Sequence, residues 1–311
     1  MAYGKIKAQT FEEHIEFVAS LPFIGFHVLA LVCAILVPPT LGDLALVVAM
    51  YSLRMFGVAG GYHRYFAHRS YSTSRAFQFC LAFLGGTALQ KGGLWWASHH
   101  RHHHRYSDQI EDVHSPVQRG FFWSHMGWIM SSKWNKTDYE GIPDMAKFPE
   151  LVFLNEHHLV APVLFGAILA AVGYFTGGVH GLEHVLTWGF LVSTVVLWHG
   201  TFTINSLSHV FGRRRFATTD DSRNSLVLAL ITGGEGWHNN HHHYPGSMSQ
   251  GFYWWEVDVT AYAIRALALV GVVWDVRAAP ARVLNAGRGK VVPNLRAQIA
   301  AATLGSAEPA A

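Results

Sequence analysis

Residues 41–68 read Leu41-Gly-Asp-Leu-Ala-Leu-Val-Val-Ala-Met-Tyr-Ser-Leu-Arg-Met-Phe-Gly-Val58, then Ala-Gly-Gly-Tyr-His63-Arg-Tyr-Phe-Ala-His68. An apolar run long enough to cross about 30 Å of hydrocarbon ends in a pair of histidines. The preceding run, Leu21–Val37, is separated from it only by Pro38-Pro39-Thr40. A second pair, Leu159–Phe175 and Val185–Ile204, is divided by Thr176-Gly177-Gly178 and a short linker. Short dividers rich in Pro or Gly read as helical hairpin turns. Two membrane hairpins, four spans in all, are therefore expected. Composition agrees: 50% of the 311 residues are hydrophobic, 14% are charged and mean hydropathy is +0.19. Soluble domains carry about a quarter charged residues, so an ordinary soluble enzyme and a disordered chain are both excluded.

Charge orients the hairpins. The turns at 38–40 and 176–184 contain no Lys or Arg, whereas 59–158 and 205–311 contain ten each. Basic loops stay in the cytoplasm, which puts both long segments and both termini there. Phe77–Leu89 is apolar but too short to span, and is expected at the interface or in the core. Phe252–Trp274 is amphipathic and reads as a helix lying on the membrane surface. Lys5 and Lys7 precede no short apolar core with a cleavage site, so the N-terminus does not read as a signal peptide. Cys33 and Cys80 are too few for a disulfide framework or a thiolate metal site and read as buried small hydrophobes. A net charge of +3 with scattered basic residues excludes a nucleic-acid binder.

The unusual number is 21 histidines against 23 Lys and Arg. Most fall in clusters within the cytoplasmic segments. His100, His103 and His104 have the i, i+3, i+4 spacing of one helix face, and so do His238, His241 and His242. His63 and His68 are five apart, which needs a bent helix end or two different metals. His209 ends the fourth span, with Asn205 one turn before it. Nine imidazoles, plus a water held by Asn205, suit two ions with four or five protein ligands each. Imidazole serves iron, copper, nickel and zinc alike, so ligand type leaves the metal open. Two hairpins bring all these elements out on one face. His99, His102 and His243 lie off the shared faces and read as supporting or solvent-exposed. His114 and His125 read as hydrogen-bonded to loop backbone or to ligands. His14, His27, His157, His158, His180, His184 and His199 receive no chemical role.

Five motifs give the chain a family resemblance. They are His63-Arg-Tyr-Phe-Ala-His68, His100-Arg-His-His-His104-Arg-Tyr-Ser107, Gly120-Phe-Phe-Trp-Ser-His125-Met-Gly-Trp128, Asn205-Ser-Leu-Ser-His209 and Gly234-Glu-Gly-Trp-His238-Asn-Asn-His-His242. In these the chain resembles the integral-membrane fatty acyl desaturases of the stearoyl-CoA (delta-9) type, from about residue 20 to 278. The resemblance implies an all-α membrane protein: four transmembrane helices in two hairpins, under a cytoplasmic helical cap with a histidine-rich two-metal site. It implies two Fe ions on His63, His68, His100, His103, His104, His209, His238, His241 and His242, with Asn205 acting through a water, and O2 as co-substrate. Trp198 falls where members place a tunnel-lining Trp.

The implied reaction inserts a cis double bond, at delta-9, into a saturated acyl chain for unsaturated fatty acid biosynthesis. The hard chemistry belongs to metal and O2, while the protein positions the chain. Ser98 and His99 stand where animal acyl-CoA members have Arg-Asp, so the substrate is either an acyl-CoA or an acyl lipid. Arg213-Arg214-Arg215 is a candidate contact for a phosphate-bearing headgroup. Electrons must come from a separate donor, such as ferredoxin or cytochrome b5 with its reductase. The expected division is a cytoplasmic N-terminal segment 1–20, a membrane desaturase domain 21–278 and a C-terminal tail 279–311 with little order. The expected location is a bacterial inner membrane rather than endoplasmic reticulum, with the catalytic face cytoplasmic. An alkyl-chain hydroxylase of the same di-iron type is one alternative. A membrane metal transporter is another, but its ligands should lie within the spans, near the midplane.

Overall fold

The computed structural model describes residues 14–293. The N-terminal residues 1–13 and the tail residues 294–311 lie outside the described part. Helix α1 (Phe17–Leu36) and helix α2 (Leu41–Phe56) form the first hairpin. Thr40 caps α2: its hydroxyl accepts from Asp43 N, and the Asp43 carboxylate accepts from Thr40 N in return. Beyond Phe56 the same helix continues as a wider, π-helical turn over Gly57–Ala67. Helix α3 (Arg75–Gly86) packs on that turn, and helix α4 (Gly93–Tyr106) carries the second histidine cluster.

The next long helix is folded in two. Helix α5 (Val160–His184) departs from helical geometry only at Gly177 and Gly178, where Gly178 has φ 62° and ψ −148°. That region is open essentially to glycine alone. The turn is therefore just these two residues, and helix resumes at once through the stretch the sequence reading left as a linker. It passes through a π-helical turn (Val185–Val192) into helix α6 (Ser193–Ser206). The two arms lie against each other, with Phe165 and Phe190 rings 6.1 Å apart. Among the described residues, three helices are long and apolar enough to cross a membrane: Phe17–Leu36, Leu41–Ala67 and the folded Val160–His209. Their outward faces expose Leu31, Ile35, Val48, Val163, Ile168 and Phe175, an apolar belt suited to lipid.

Polar ties align the hairpins. His184 Nδ1 donates to Asp43 at 2.8 Å, and Trp188 Nε1 to Val37 O at 3.0 Å, which joins the two turns. Deeper in, Arg54 is fully buried. It donates to Thr194 Oγ1 (2.6 Å), Ser193 Oγ (2.5 Å) and Met50 O (3.1 Å), so helix α6 is fixed to the first hairpin. An intramembrane charge survives only with such partners.

The remaining elements form a cap. It comprises helix α7 (Leu226–Ile231), helix α8 (His238–His243) with the third histidine cluster, helix α9 (Val259–Leu269) and helix α10 (Ala281–Gly287), and a two-stranded ribbon, β1 (Ser72–Thr73) with β2 (Val273–Trp274), ties the chain after α9 to the chain before α3. The surface helix expected over 252–274 is reduced to α9, because Asp258 caps its start by accepting from Ala261 N and Gly271 turns the chain at its end. Residues 279–293, read in sequence as part of a tail, are instead packed: Val283 is buried and Tyr253 Oη donates to Leu284 O at 2.7 Å. Cys80 is exposed rather than buried, because it sits on the outer face of α3.

Candidate metal centre

Nine histidines from four stretches converge into two adjoining groups. His63, His68, His100, His104 and His241 form one; His103, His209, His238 and His242 form the other. Within each, the potential ligand nitrogens lie within 4.8 Å of one another. The first group closes as a ring of Nε2 atoms: His63 to His68 3.1 Å, His68 to His100 2.9 Å, His100 to His104 3.0 Å, His104 to His241 2.8 Å and His241 to His63 3.0 Å.

The five-residue gap between His63 and His68 is resolved by the π turn. His68 N donates to His63 O at 3.1 Å, an i→i+5 bond, which stacks residue 68 above residue 63. Both rings therefore join the same group. On α4 the same helical face sends His100 and His104 to one group and His103 to the other. On α8, His241 goes to the first group and His238 and His242 to the second.

Carboxylates fix the imidazoles from behind. His103 Nδ1 donates to Asp112 (2.8 Å), His209 Nδ1 to Asp108 (2.8 Å), His242 Nδ1 to Asp220 (2.7 Å), and His63 Nδ1 to Glu235. A carboxylate can only accept, so each of these rings carries a proton on Nδ1 and turns Nε2 toward its group. Burial would raise the Asp108 carboxyl, but His209 outweighs it and holds it at about 2. Glu235, against His63 and Arg64, is likewise held at about 2 despite its burial. Asp112 and Asp220 are held well below the usual carboxylate range by the same balance. Burial first, and then repulsion from neighbouring imidazoles, keeps His68, His100, His104, His238 and His241 far below the ordinary imidazole value. Those five are thus neutral nitrogen donors, and within each group the ring nitrogens face one another at contact distance. Lone pairs crowded this way repel, and a cation at each centre turns that repulsion into coordination. The donor set fits two transition-metal ions.

Arg64 anchors the support. It is fully buried and pairs with Glu235 at 2.8 Å and Asp258 at 2.9 Å. Sequence reading gave these acids no role: Glu235 lies only three residues before His238 and Asp108 four after His104, but a single carboxylate at such a distance forms no repeating pattern. A third set, His103, Asp112 and His114, shares His103 with the second group, and its carboxylate is the one that orients His103.

A cavity of about 740 Å3 runs from the histidines into the apolar interior. His63, His100, His103 and His238 line one end, with Phe23, Phe26, Met55, Val58, Trp198 and Phe202 along it. Trp198 lies in the cavity wall, where its Nε1 donates to Ala88 O at 2.8 Å. Asn205 lines the same cavity beside the second group. Gln90 donates to Thr201 at 2.7 Å, a polar pair in the wall that the sequence did not flag.

Other expectations sort differently. Ser98 Oγ and His99 Nδ1 both turn back onto Trp95 O, so neither reaches outward. Arg214 is buried and donates to Thr218 O at 2.8 Å, while Arg215 is tied to Asn240 at 2.9 Å and to Glu256. These two arginines are internal braces rather than headgroup contacts. His125 bonds neither loop backbone nor a clustered histidine. It pairs with His199 (3.0 Å) and Ser206 (2.9 Å), and His199 continues to His27 (3.2 Å).

A helical fold with membrane-length apolar helices, and paired histidine clusters beside an apolar cavity, defines a membrane-type protein with a candidate histidine-ligated metal site. The fatty acid desaturase family model matches residues 39–274. The chain is 35% identical to the sn-2 palmitoyl-lipid 9-desaturase of Nostoc sp. (strain 36), over 83% of this chain and 89% of the relative. It is 32% identical to the sn-1 stearoyl-lipid 9-desaturase of Anabaena variabilis, over 88% and 97%. It is also 32% identical to the hex-5-enoyl-[acyl-carrier protein] acetylenase of Moorena producens (strain JHB), over 78% and 79%. The chain belongs to the fatty acid desaturase family, whose members are oxidoreductases of fatty acyl chains.

Proposed function

We propose that this chain places a cis double bond, at delta-9, in a saturated acyl chain carried by a membrane lipid. In the proposed reaction two hydrogens of the chain, two protons and two electrons from a separate donor reduce O2 to two waters. The observation that carries the reading is the junction of the acyl-sized cavity with both histidine groups. The proposed ligands are His63, His68, His100, His104 and His241 for one iron. His103, His209, His238 and His242, with a water held by Asn205, serve the other. Bound there, iron activates O2 to an oxidant able to break an unactivated C–H bond.

The protein's own contribution is position. Phe23, Phe26, Trp198 and Phe202 strip water from the chain and hold it against the histidine end, so regioselectivity is geometric. The inward turn of Ser98 and His99, and the lipid-linked substrates in the names of the Nostoc and Anabaena relatives, support a lipid carrier over a CoA thioester.

The proposed topology is four passes, with α5 and α6 as the two passes of the second hairpin. Residues 1–20 and the histidine-bearing cap would face the cytoplasm of a bacterial inner membrane. The unit 21–278 is the proposed desaturase domain. Labelling that finds substituted positions 68 and 242 in opposite compartments rejects it.

The decisive experiment expresses the chain in a desaturase-deficient host, feeds defined saturated fatty acids and locates the new double bond by mass spectrometry. A cis-9 product in phospholipid is expected. Mainly hydroxylated product rejects desaturation, and a double bond elsewhere rejects delta-9.

A further inference from the structure

Behind the histidine helix α8 the chain lays a basic strap. From Val276 to Pro293 it contains Arg277, Arg282, Arg288 and Lys290 and no Asp or Glu. All four cations are exposed. The strap is pinned to the cap: Arg277 N donates to Ser70 O (2.9 Å), Met248 N to Arg277 O (2.8 Å) and Val292 N to Arg214 O (3.0 Å). Between 277 and 290 no large apolar residue is exposed, whereas Val291, at the strap's end, is. A segment built to lie on lipid would present apolar groups among its cations. From Arg277 to Lys290 this one presents its cations with no large apolar residue between them, on a fixed surface.

Directly beneath it runs an aromatic contact to the metal centre. Gly287 sits against the Phe216 ring, so closely that a Cβ there would collide with it. Phe216 lies flat on His243, with centroids 4.0 Å apart and planes 1° from parallel. His243 adjoins His242, a member of the second histidine group. Neither Phe216 nor His243 lines the acyl cavity. The strap therefore covers a short way to the metal centre that a bound acyl chain does not obstruct.

The reaction proposed above consumes two electrons, and two cysteines cannot hold a cluster of four-thiolate type. We propose that the strap 277–290 is the docking surface for an acidic one-electron carrier protein, and that electrons enter through Phe216 and His243. This rests on the desaturase reading. Two successive encounters deliver the two electrons. The exposed cations steer an acidic partner and set its association rate.

The test uses the full chain, iron-loaded, in nanodiscs of neutral lipid, with an acidic [2Fe–2S] ferredoxin and its reductase as donor. Binding is measured directly as a Kd and, separately, as ferredoxin-driven turnover. In the Arg282→Glu/Arg288→Glu/Lys290→Glu triple variant, Kd should rise by about tenfold or more at low salt, with its salt dependence flattened. Iron content and dithionite-driven single turnover should be unchanged. Phe216→Leu should keep Kd and slow ferredoxin-driven reduction; an unchanged rate overturns the route.

An unchanged Kd in the triple variant overturns the docking surface, as does an equal loss of turnover with both reductants. A variant effect confined to discs of anionic lipid shows that the strap reads the membrane and also overturns it. Wild type that turns over with dithionite but does not bind ferredoxin refutes the partner while sparing the desaturase reading. Wild type that makes no product with either donor refutes both.

Discussion

The Asp220 carboxylate accepts the Nδ1 proton of His242 at 2.7 Å, and both groups are buried. This fixes the ring's tautomer and aims Nε2 at the second histidine group. Outer partners of this kind tune ligand basicity, and their loss costs about 10- to 100-fold in metal affinity. Asp220→Asn should therefore weaken retention of the second metal by that factor while the first stays bound. Metal analysis after graded chelation, against Asp112→Asn as a parallel case, checks this. Equal loss of both metals contradicts the assignment of His242 to one group.

His241 closes the five-nitrogen ring through contacts to His63 and His104. His241→Ala should abolish activity and lower iron content while membrane insertion stays intact. Asn205→Ala should cost less iron than any of the nine histidine changes, because its proposed contact runs through water. Elemental analysis of purified variants decides it, and equal loss in the two would remove Asn205 from its assigned role.

The buried imidazoles give stability a pH sense. His100, His104, His238 and His241 titrate below their ordinary 6.5 when folded, chiefly from burial. Unfolded, they take up protons near that value. The stability they contribute is thus fully present above 6.5 and is lost as pH falls below it toward the folded values. Metal release follows the same direction, since protons compete for the ligand nitrogens. Thermal unfolding scans of metal-free and iron-loaded protein between pH 8 and 5 should show falling transition temperatures on the acid side. A flat profile would contradict the neutral-cluster picture.

Gly178, at φ 62° and ψ −148°, makes the turn that folds the long third helix back. Gly178→Val should cost about 1–3 kcal/mol of backbone strain. Gly177→Ala, at a residue with negative φ, should cost much less. Thermal stability in detergent compares them. Equal effects would mean that the turn does not depend on the left-handed residue.

Most of the fold was readable in the chain because length and apolarity are one-dimensional signals. The runs around 21–58 and 159–204 are long and apolar in the sequence itself, and the i, i+3, i+4 histidines lie on one side of any helix. Tertiary structure was needed wherever backbone geometry departed from the regular helix. The π turn that stacks His68 on His63 depends on how Gly57–Ala67 packs against α3. The bend at Gly177–Gly178 proved tighter than its composition suggested.

What the sequence determined by itself was the set of nine imidazoles and the apolar segments that deliver them. Only the folded chain decided their partition into five and four: His100 and His104 share one centre and His238 and His242 the other, while His103 and His241, each next to one of them, face the opposite centre. Only the fold, too, brought Asp108, Asp112, Asp220 and Glu235 behind them. Ionic and hydrogen-bonding partners are chosen by proximity across the cap, and no local spacing encodes that choice.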